Sequence, residues 1–238
     1  MLHQYGGRSE KTYKDVAVYF VRSLVDLCGL EPEERVLDAG CGAGRLAFGL
    51  TGYLGPKGRY DGFDVDAKSI HWAQRNISNK FPNFHFQVAD VQNRSYNPRG
   101  GIPAAAFTFP YENETFDLVF LFSVFTHMLP ADMERYMAEI SRVLKKGKRA
   151  YLTYYLLNQE SLRAIREKTL ALNFEYAFGS YRTINKDVHE HSIAHDESLV
   201  RDLHRKYELT ISEPVRRGSW FGKIDSSDYQ DVVIARKK

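Results

Sequence analysis

Two cysteines, Cys28 and Cys41, are all that 238 residues contain. So few exclude a disulfide framework and fit a reducing compartment. No apolar signal core stands in "MLHQYGGRSEK", and no apolar run approaches the length that crosses a bilayer. The expectation is a cytoplasmic protein with no membrane partner. A strong charge bias is missing too. The 33 basic and 30 acidic residues leave a net +3, which permits an anionic partner without arguing for one, so nucleic acid is not expected. No internal repeat or linker-like break divides the chain, and its length suits a single α/β domain. Oligomeric state leaves no mark on it.

What is present is an alternation of two apolar periods. "TYKDVAVYFVRSLVDLCGL" has helical spacing. "RVLDAG", "RYDGFD", "FHFQVAD", "FDLVFLFSV" and "KRAYLTYYLL" read as strands. Between them "GRLAFGLTGYLG", "AKSIHWAQRNISNKF" and "PADMERYMAEISRVLKKG" read as helices, the last from a proline start to a basic, glycine-ended finish. Strand and helix alternating in this way predict a doubly wound, mostly parallel sheet with helices on both faces. After the helix "ESLVRDLHRKY", two strands, "LTISEPV" and "DYQDVVIARK", follow with no crossover, predicting an antiparallel edge at the C-terminus. Residues 1–33 are thus an N-terminal helical segment, 34–157 the core, 159–195 a cap insert, and 196–238 the final helix and strand pair. Residues 92–115 and 159–195 fit no regular element, and both are expected to leave the carboxyl edge of the sheet, where open α/β folds bind ligands.

"VLDAGCGAGR" puts Gly40, Gly42 and Gly44 directly behind the first strand. The dinucleotide fingerprint needs its third glycine where Arg45 stands, which disfavours a nicotinamide oxidoreductase. No Lys-Ser or Lys-Thr follows, so a P-loop is excluded. Asp64 ends the second strand about 20 residues on, where a carboxylate can take both ribose hydroxyls. Asp90 ends the third, where it can accept from an adenine amino group while the Val91 amide serves a ring nitrogen. Asp38, Asp64 and Asp90 thus follow successive strands in register.

The ordered set "VLDAGCGAG", "GFDVD", "VAD", "FPYENETFDLVFLFSVFTHM" and "EISRVLKKGKRAYLTYY" resembles the class I S-adenosylmethionine-dependent methyltransferases, over residues 34–157 most closely, and nearest to their small-molecule branch. The resemblance implies a Rossmann-like fold and S-adenosyl-L-methionine as cofactor, with S-adenosyl-L-homocysteine as product. It places Gly40, Gly42 and Gly44 along the methionine portion and Asp38 toward its ammonium. By the same resemblance Asp64 lies at the ribose, Val65 on the adenine, Asp90 and Val91 at the adenine edge, and Phe122 and Ser123 near the ammonium.

The expected reaction is O-methylation of a hydroxyl on a sugar or other small metabolite. A small-amine N-methyltransferase or a non-catalytic S-adenosylmethionine-binding module is the alternative. Nucleic-acid methylation ranks lower. "FSVF" replaces the Asp/Asn-Pro-Pro-aromatic tetrad, and no cysteine stands there for cytosine-carbon chemistry. His127 in "SVFTHM" is the candidate base, since imidazole accepts protons near neutrality, set against the plainer reading that it caps the next helix or packs in the loop. "DVHEHSIAH" groups His189, His191 and His195, but without H-E-x-x-H spacing no metal is expected. Tyr154, Tyr155, His191, Arg182 and Trp220 are expected to line the acceptor side. "YGGRSEKTY" is expected to fold over the cofactor, with Arg8 or Tyr13 touching its carboxylate.

Overall fold

A computed structural model describes residues 10–222 and 228–238, with side chains from residue 14 onward. Arg8 and the Tyr13 side chain therefore lie outside the described residues.

Helix α1 (Glu10–Cys28) turns Ala17, Val21, Leu24 and Cys28 inward at three- and four-residue steps. It crosses α2 (Arg45–Leu50) so closely that a Cβ on Gly49 would stand 2.8 Å from Val21 Cγ2. The main sheet contains β1 (Arg35–Ala39), β2 (Arg59–Asp64), β3 (Phe84–Val88), β4 (Phe116–Leu121), β5 (Leu144–Tyr154), β6 (Leu209–Ile211) and β7 (Asp231–Lys237). Their order is β6-β7-β5-β4-β1-β2-β3. Strands β1 to β5 run parallel, and β7 runs antiparallel to both β5 and β6. The expected antiparallel pair thus closes one side of the sheet, with the short β6 outermost.

Period-two alternation splits the strand residues between two cores. Val36, Leu118, Phe120 and Tyr151 face α1, α2 and α3 (Ala67–Ala73). Leu37, Val119, Leu121 and Leu152 face α4 (Pro130–Val143) and, beyond it, Val200 and Leu203 on the last helix. Every residue of β4 is buried, as an apolar run covered on both faces requires. Strand order reverses at β1, with β2 and β3 on one side and β4 and β5 on the other. The crevice this leaves opens at the carboxyl ends of β1 and β4.

Two features differ from the sequence expectation. The predicted helix through Gly147 stops at Val143, and β5 starts at Leu144. Phe116 pairs with Leu144, Lys145 Nζ lies 3.0 Å from Asp117, and Gly147 takes φ +72, so ladder and ion pairs outweigh helix propensity there. The two irregular stretches are also more ordered than predicted. Val91–Gln92 pairs in parallel with Ile102–Pro103. The insert holds α5 (Gln159–Arg166), opened by an Asn158–Ser161 capping box, and a four-stranded cap sheet. That sheet joins Leu156–Leu157, Ile193–Asp196, Tyr181–Thr183 and Tyr176–Phe178. It leads into α6 (Glu197–Lys206). Asp231 at the start of β7 pins the cap by accepting from Leu156 N (2.8 Å), Gly218 N (2.9 Å) and Trp220 Nε1 (2.7 Å). No described helix is long and apolar enough to cross a membrane.

Candidate active site

The glycine loop takes its shape from three left-handed residues, Gly40 (φ +95), Gly42 (φ +53) and Gly44 (φ +77). Only glycine adopts this region without cost. At two of them there is also no space. A Cβ on Gly40 would lie 2.3 Å from Val124 Cγ2, and one on Gly44 2.8 Å from Ile77 Cδ1. Val124 is in the turn after β4, so the tips of β1 and β4 interlock through a missing side chain.

Asp64 braces this loop. Its Oδ2 accepts from Gly42 N at 2.7 Å and its Oδ1 from Asp66 N at 2.9 Å. Each oxygen keeps a further lone pair. Burial raises the Asp64 pKa, against the pull of those amide bonds. Asp38 is buried beneath the loop and accepts from Tyr60 Oη at 2.7 Å. Burial pushes its carboxyl up to about 7, the Tyr60 bond opposes the rise, and the Asp64 charge adds to it. Tyr60 reaches Asp38 because Gly62, two residues along the same strand face, leaves room: a Cβ there would stand 2.9 Å from Tyr60 Oη. A tyrosine two positions before a strand glycine was the available signal for this partner, and sequence reasoning missed it. Asp90 lies exposed at the tip of β3 with Val91 buried beside it, and Gly101 makes room for its carboxylate. Val65 is half-buried against the core.

At the tip of β4, Phe122 packs edge-on to Phe20 of α1, ring centres 4.3 Å apart. Ser123 adopts φ +56, unusual for a residue with a side chain. Its amide donates to Thr153 Oγ1 (2.8 Å) and its hydroxyl to Gln230 Oε1 (3.0 Å). A 3₁₀ turn, Phe125–His127, follows and delivers His127 beside the crevice. His127 Nδ1 lies 2.8 Å from the Glu190 carbonyl, and its Nε2 lies 3.3 Å from Tyr96 Oη. Burial, the larger influence, holds His127 below the ordinary histidine range, while the Glu190 bond works the other way.

Three expected acceptor-side aromatics are buried and packed against other rings. Tyr154 is 0% exposed, stacked on Phe125 at 5.1 Å in the core beneath α4. Tyr155 and Trp220 pack on each other and on Phe174 inside the cap, and the Trp220 indole is committed to Asp231. Apolar character marked these rings for burial and said nothing about where: Tyr155 and Trp220 hold the cap together, and Tyr154 belongs to the main core. His191 is exposed next to His127, its Nδ1 3.1 Å from Asn185 Nδ2. Half-buried Arg182 points at the carbonyls of Phe174 and Glu175 and faces Asp196. The three cap histidines do not converge. Fully buried His195 bonds Phe125 O at 2.9 Å, whereas His189 bonds Tyr181 Oη at 2.7 Å and packs on Phe178. Both cysteines are free and buried, and burial raises the Cys41 thiol well above its usual range.

A methyltransferase-domain family model matches residues 30–210. Over 146 residues the chain is 27% identical to the probable cobalt-precorrin-6B C(15)-methyltransferase (decarboxylating) of Thermoplasma acidophilum, covering 59% of this chain and 63% of that one. Over 140 residues it is 25% identical to the 2-phytyl-1,4-naphtoquinone methyltransferase of Trichormus variabilis, covering 58% and 55%. The chain thus spans less than two thirds of the length of these relatives. Among solved structures, the magnesium protoporphyrin IX methyltransferase of Synechocystis with bound S-adenosylhomocysteine superposes with a TM-score of 0.58 at 17% identity. That match covers 95% of this chain and 84% of the other, and it supports the fold alone. With the family match running from just after α1 into β6, and with a mostly parallel sheet of this order, the chain belongs to the class I S-adenosylmethionine-dependent methyltransferases.

Proposed function

We propose that this chain transfers a methyl group from S-adenosylmethionine to a small-molecule acceptor, and that the acceptor atom is a hydroxyl oxygen of a sugar or other metabolite. The residues present fit the cofactor. The loop at Gly40, Gly42 and Gly44 is left-handed backbone with no side chain at those three positions. Asp38 is a buried carboxylate beneath that loop. Gly40, Gly42 and Gly44 would accommodate the methionine portion, and Asp38, with Phe122 and Ser123, its ammonium. Asp64 would take the ribose, Val65 the adenine face, and Asp90 and Val91 the adenine edge. When bound, the cofactor supplies an already activated sulfonium methyl. The protein then has to align the acceptor, exclude water and accept a proton, and alignment alone is worth roughly 7–11 kcal/mol.

The hydroxyl reading rests on His127. With Nδ1 against the Glu190 carbonyl, its Nε2 carries a lone pair that can accept a proton, a service a neutral amine hardly needs. The exposed His191 and half-buried Arg182 remain proposed acceptor contacts. Small-molecule substrates are also in keeping with the precorrin and naphthoquinone named for the two relatives.

Titration calorimetry with S-adenosylhomocysteine, followed by radiolabelled methyl transfer to panels of hydroxyl and amine compounds, tests the reading. Binding with transfer to hydroxyls is expected, and Asp64→Ala should weaken binding at least about tenfold. No binding would remove the cofactor assignment. Transfer to amines alone would remove the hydroxyl, and binding without any transfer would leave a binding module.

A further inference from the structure

The Nδ1 atom of His127 lies 2.8 Å from a backbone carbonyl, that of Glu190. A carbonyl only accepts, so Nδ1 carries the ring's proton and Nε2 of the neutral imidazole presents a bare lone pair. That lone pair already has a donor, the phenol of Tyr96 at 3.3 Å. Tyr96 therefore engages the lone pair that an acceptor proton would need.

The position of Tyr96 is built by its own turn. Asn93 and Asn97 exchange both backbone hydrogen bonds, at 3.0 and 2.9 Å. Asn93 Oδ1 accepts from Ser95 N (3.0 Å) and Tyr96 N (3.1 Å), while its Nδ2 donates to the carbonyl of His127 itself (3.1 Å). Asn97 Nδ2 ties the other end of the turn to Val91 O at 3.1 Å. The ring meets the imidazole edge-on at 5.2 Å, yet Tyr96 stays 55% exposed. Partial burial, and behind it the Asp64 charge, raise its pKa.

We propose that Tyr96 is the residue that touches the acceptor, that His127 acts through it as proton sink, and that Asn93 is the positioning residue of this pair. The proposal rests on the methyl-transfer reading above. The acceptor O–H donates to Tyr96 Oη. As the acceptor oxygen gains its methyl, its proton passes to Oη and the phenol's own proton passes to Nε2. Tyrosine ends unchanged and His127 ends as imidazolium, with Nδ1–H still on Glu190 O, until solvent removes the added proton. His191 faces His127, and Asp64 faces Tyr96, so these groups also enter any titration of the pair.

The first test needs no acceptor. Nitrogen-15 NMR of the histidine-labelled protein should find His127 protonated at Nδ1. Tyr96→Phe, which keeps the ring, should raise the His127 pKa by about 0.4–1 unit, the worth of one hydrogen bond to the neutral form. Asn93→Ala should reproduce part of that shift. An Nε2–H tautomer, or an unmoved titration, overturns the pair. So does a tenfold loss of S-adenosylhomocysteine affinity in Tyr96→Phe without a pKa change, which would make Tyr96 a cofactor wall.

With a hydroxyl acceptor from the screen, Tyr96→Phe should cut kcat about 10²–10⁴-fold, and adding His127→Ala should cost little more. Turnover kept by Tyr96→Phe but lost by His127→Ala overturns the proposal in favour of direct base catalysis. A screen with no acceptor counts against the methyl-transfer reading, while the NMR arm still decides the pair.

Discussion

Gly40→Ala is the sharpest perturbation of the interlock between strand tips. Two costs add at this residue. A non-glycine residue at φ +95 carries about 1–2 kcal/mol of backbone strain. The new Cβ also falls 2.3 Å from Val124 Cγ2, far inside contact distance, and overpacking of this kind costs about 1–3 kcal/mol. The sum is about 2–5 kcal/mol, and at about 2–4 °C per kcal/mol it lowers Tm by about 4–20 °C. The overlap can be isolated. In a cycle with Val124→Ala, which removes the clashing methyl, the coupling recovers about 1–3 kcal/mol, while the strain stays in both arms. Urea denaturation of the four proteins provides the measurement. Additivity within about 0.5 kcal/mol would refute the interlock, because the new methyl and Val124 would then not compete for space.

Asp38 makes stability depend on pH. Its folded pKa, about 7, stands above the ordinary 3.8, so its contribution is complete below about pH 4 and is lost as pH climbs through 7. Asp38→Asn should flatten that part of the profile of the ligand-free protein, and parallel urea midpoints at pH 4.5, 6 and 7.5 in both proteins would contradict it. Arg149 is buried against Glu34, with Nη2 2.5 Å from Oε2 and Nη1 2.6 Å from Oε1. Glu34→Gln removes the charge partner and leaves the guanidinium only backbone carbonyls, which should cost about 3–5 kcal/mol by urea denaturation, a figure that a loss under 1 kcal/mol would overturn.

The strand tips were legible because their signals are local. A glycine behind a strand, an acid at a strand end and an unbroken apolar run each state their structure within a few residues. The five parallel strands, the antiparallel pair and the loop glycines follow from such signals. Partnerships were not legible where they span distance. Tyr60 meets Asp38 across two strands, and Tyr96 meets His127 across 31 positions. The cap sheet depends on His195 pairing with Leu156, which no local period encodes. For Tyr154, Tyr155 and Trp220 the failure was of another kind. Aromatic content reveals that a ring is buried, but the neighbours that bury it come from the turn after β4, the cap and β7.

Ser123 is the residue at which the tip of β4 departs furthest from ordinary backbone. Its φ of +56 is held by the amide bond to Thr153 and the hydroxyl bond to Gln230, and the same turn presents Val124 to Gly40 and delivers His127. Strain kept at such a place has a use if it aims the turn. Ser123→Gly relieves about 1–2 kcal/mol of it while adding about 0.4–1 kcal/mol of unfolded-chain entropy. The exposed hydroxyl bond is worth about 0.5 kcal/mol at most. Ser123→Ala keeps the strain and loses the same bond, so the glycine variant should be the more stable of the two by up to about 1.5 kcal/mol in urea. A freed turn no longer fixes Val124 or His127. The more stable variant should therefore bind S-adenosylhomocysteine more weakly than the alanine one. If glycine were the weaker in stability and the equal in affinity, the left-handed turn would be a passive consequence of the loop and not what aims the site.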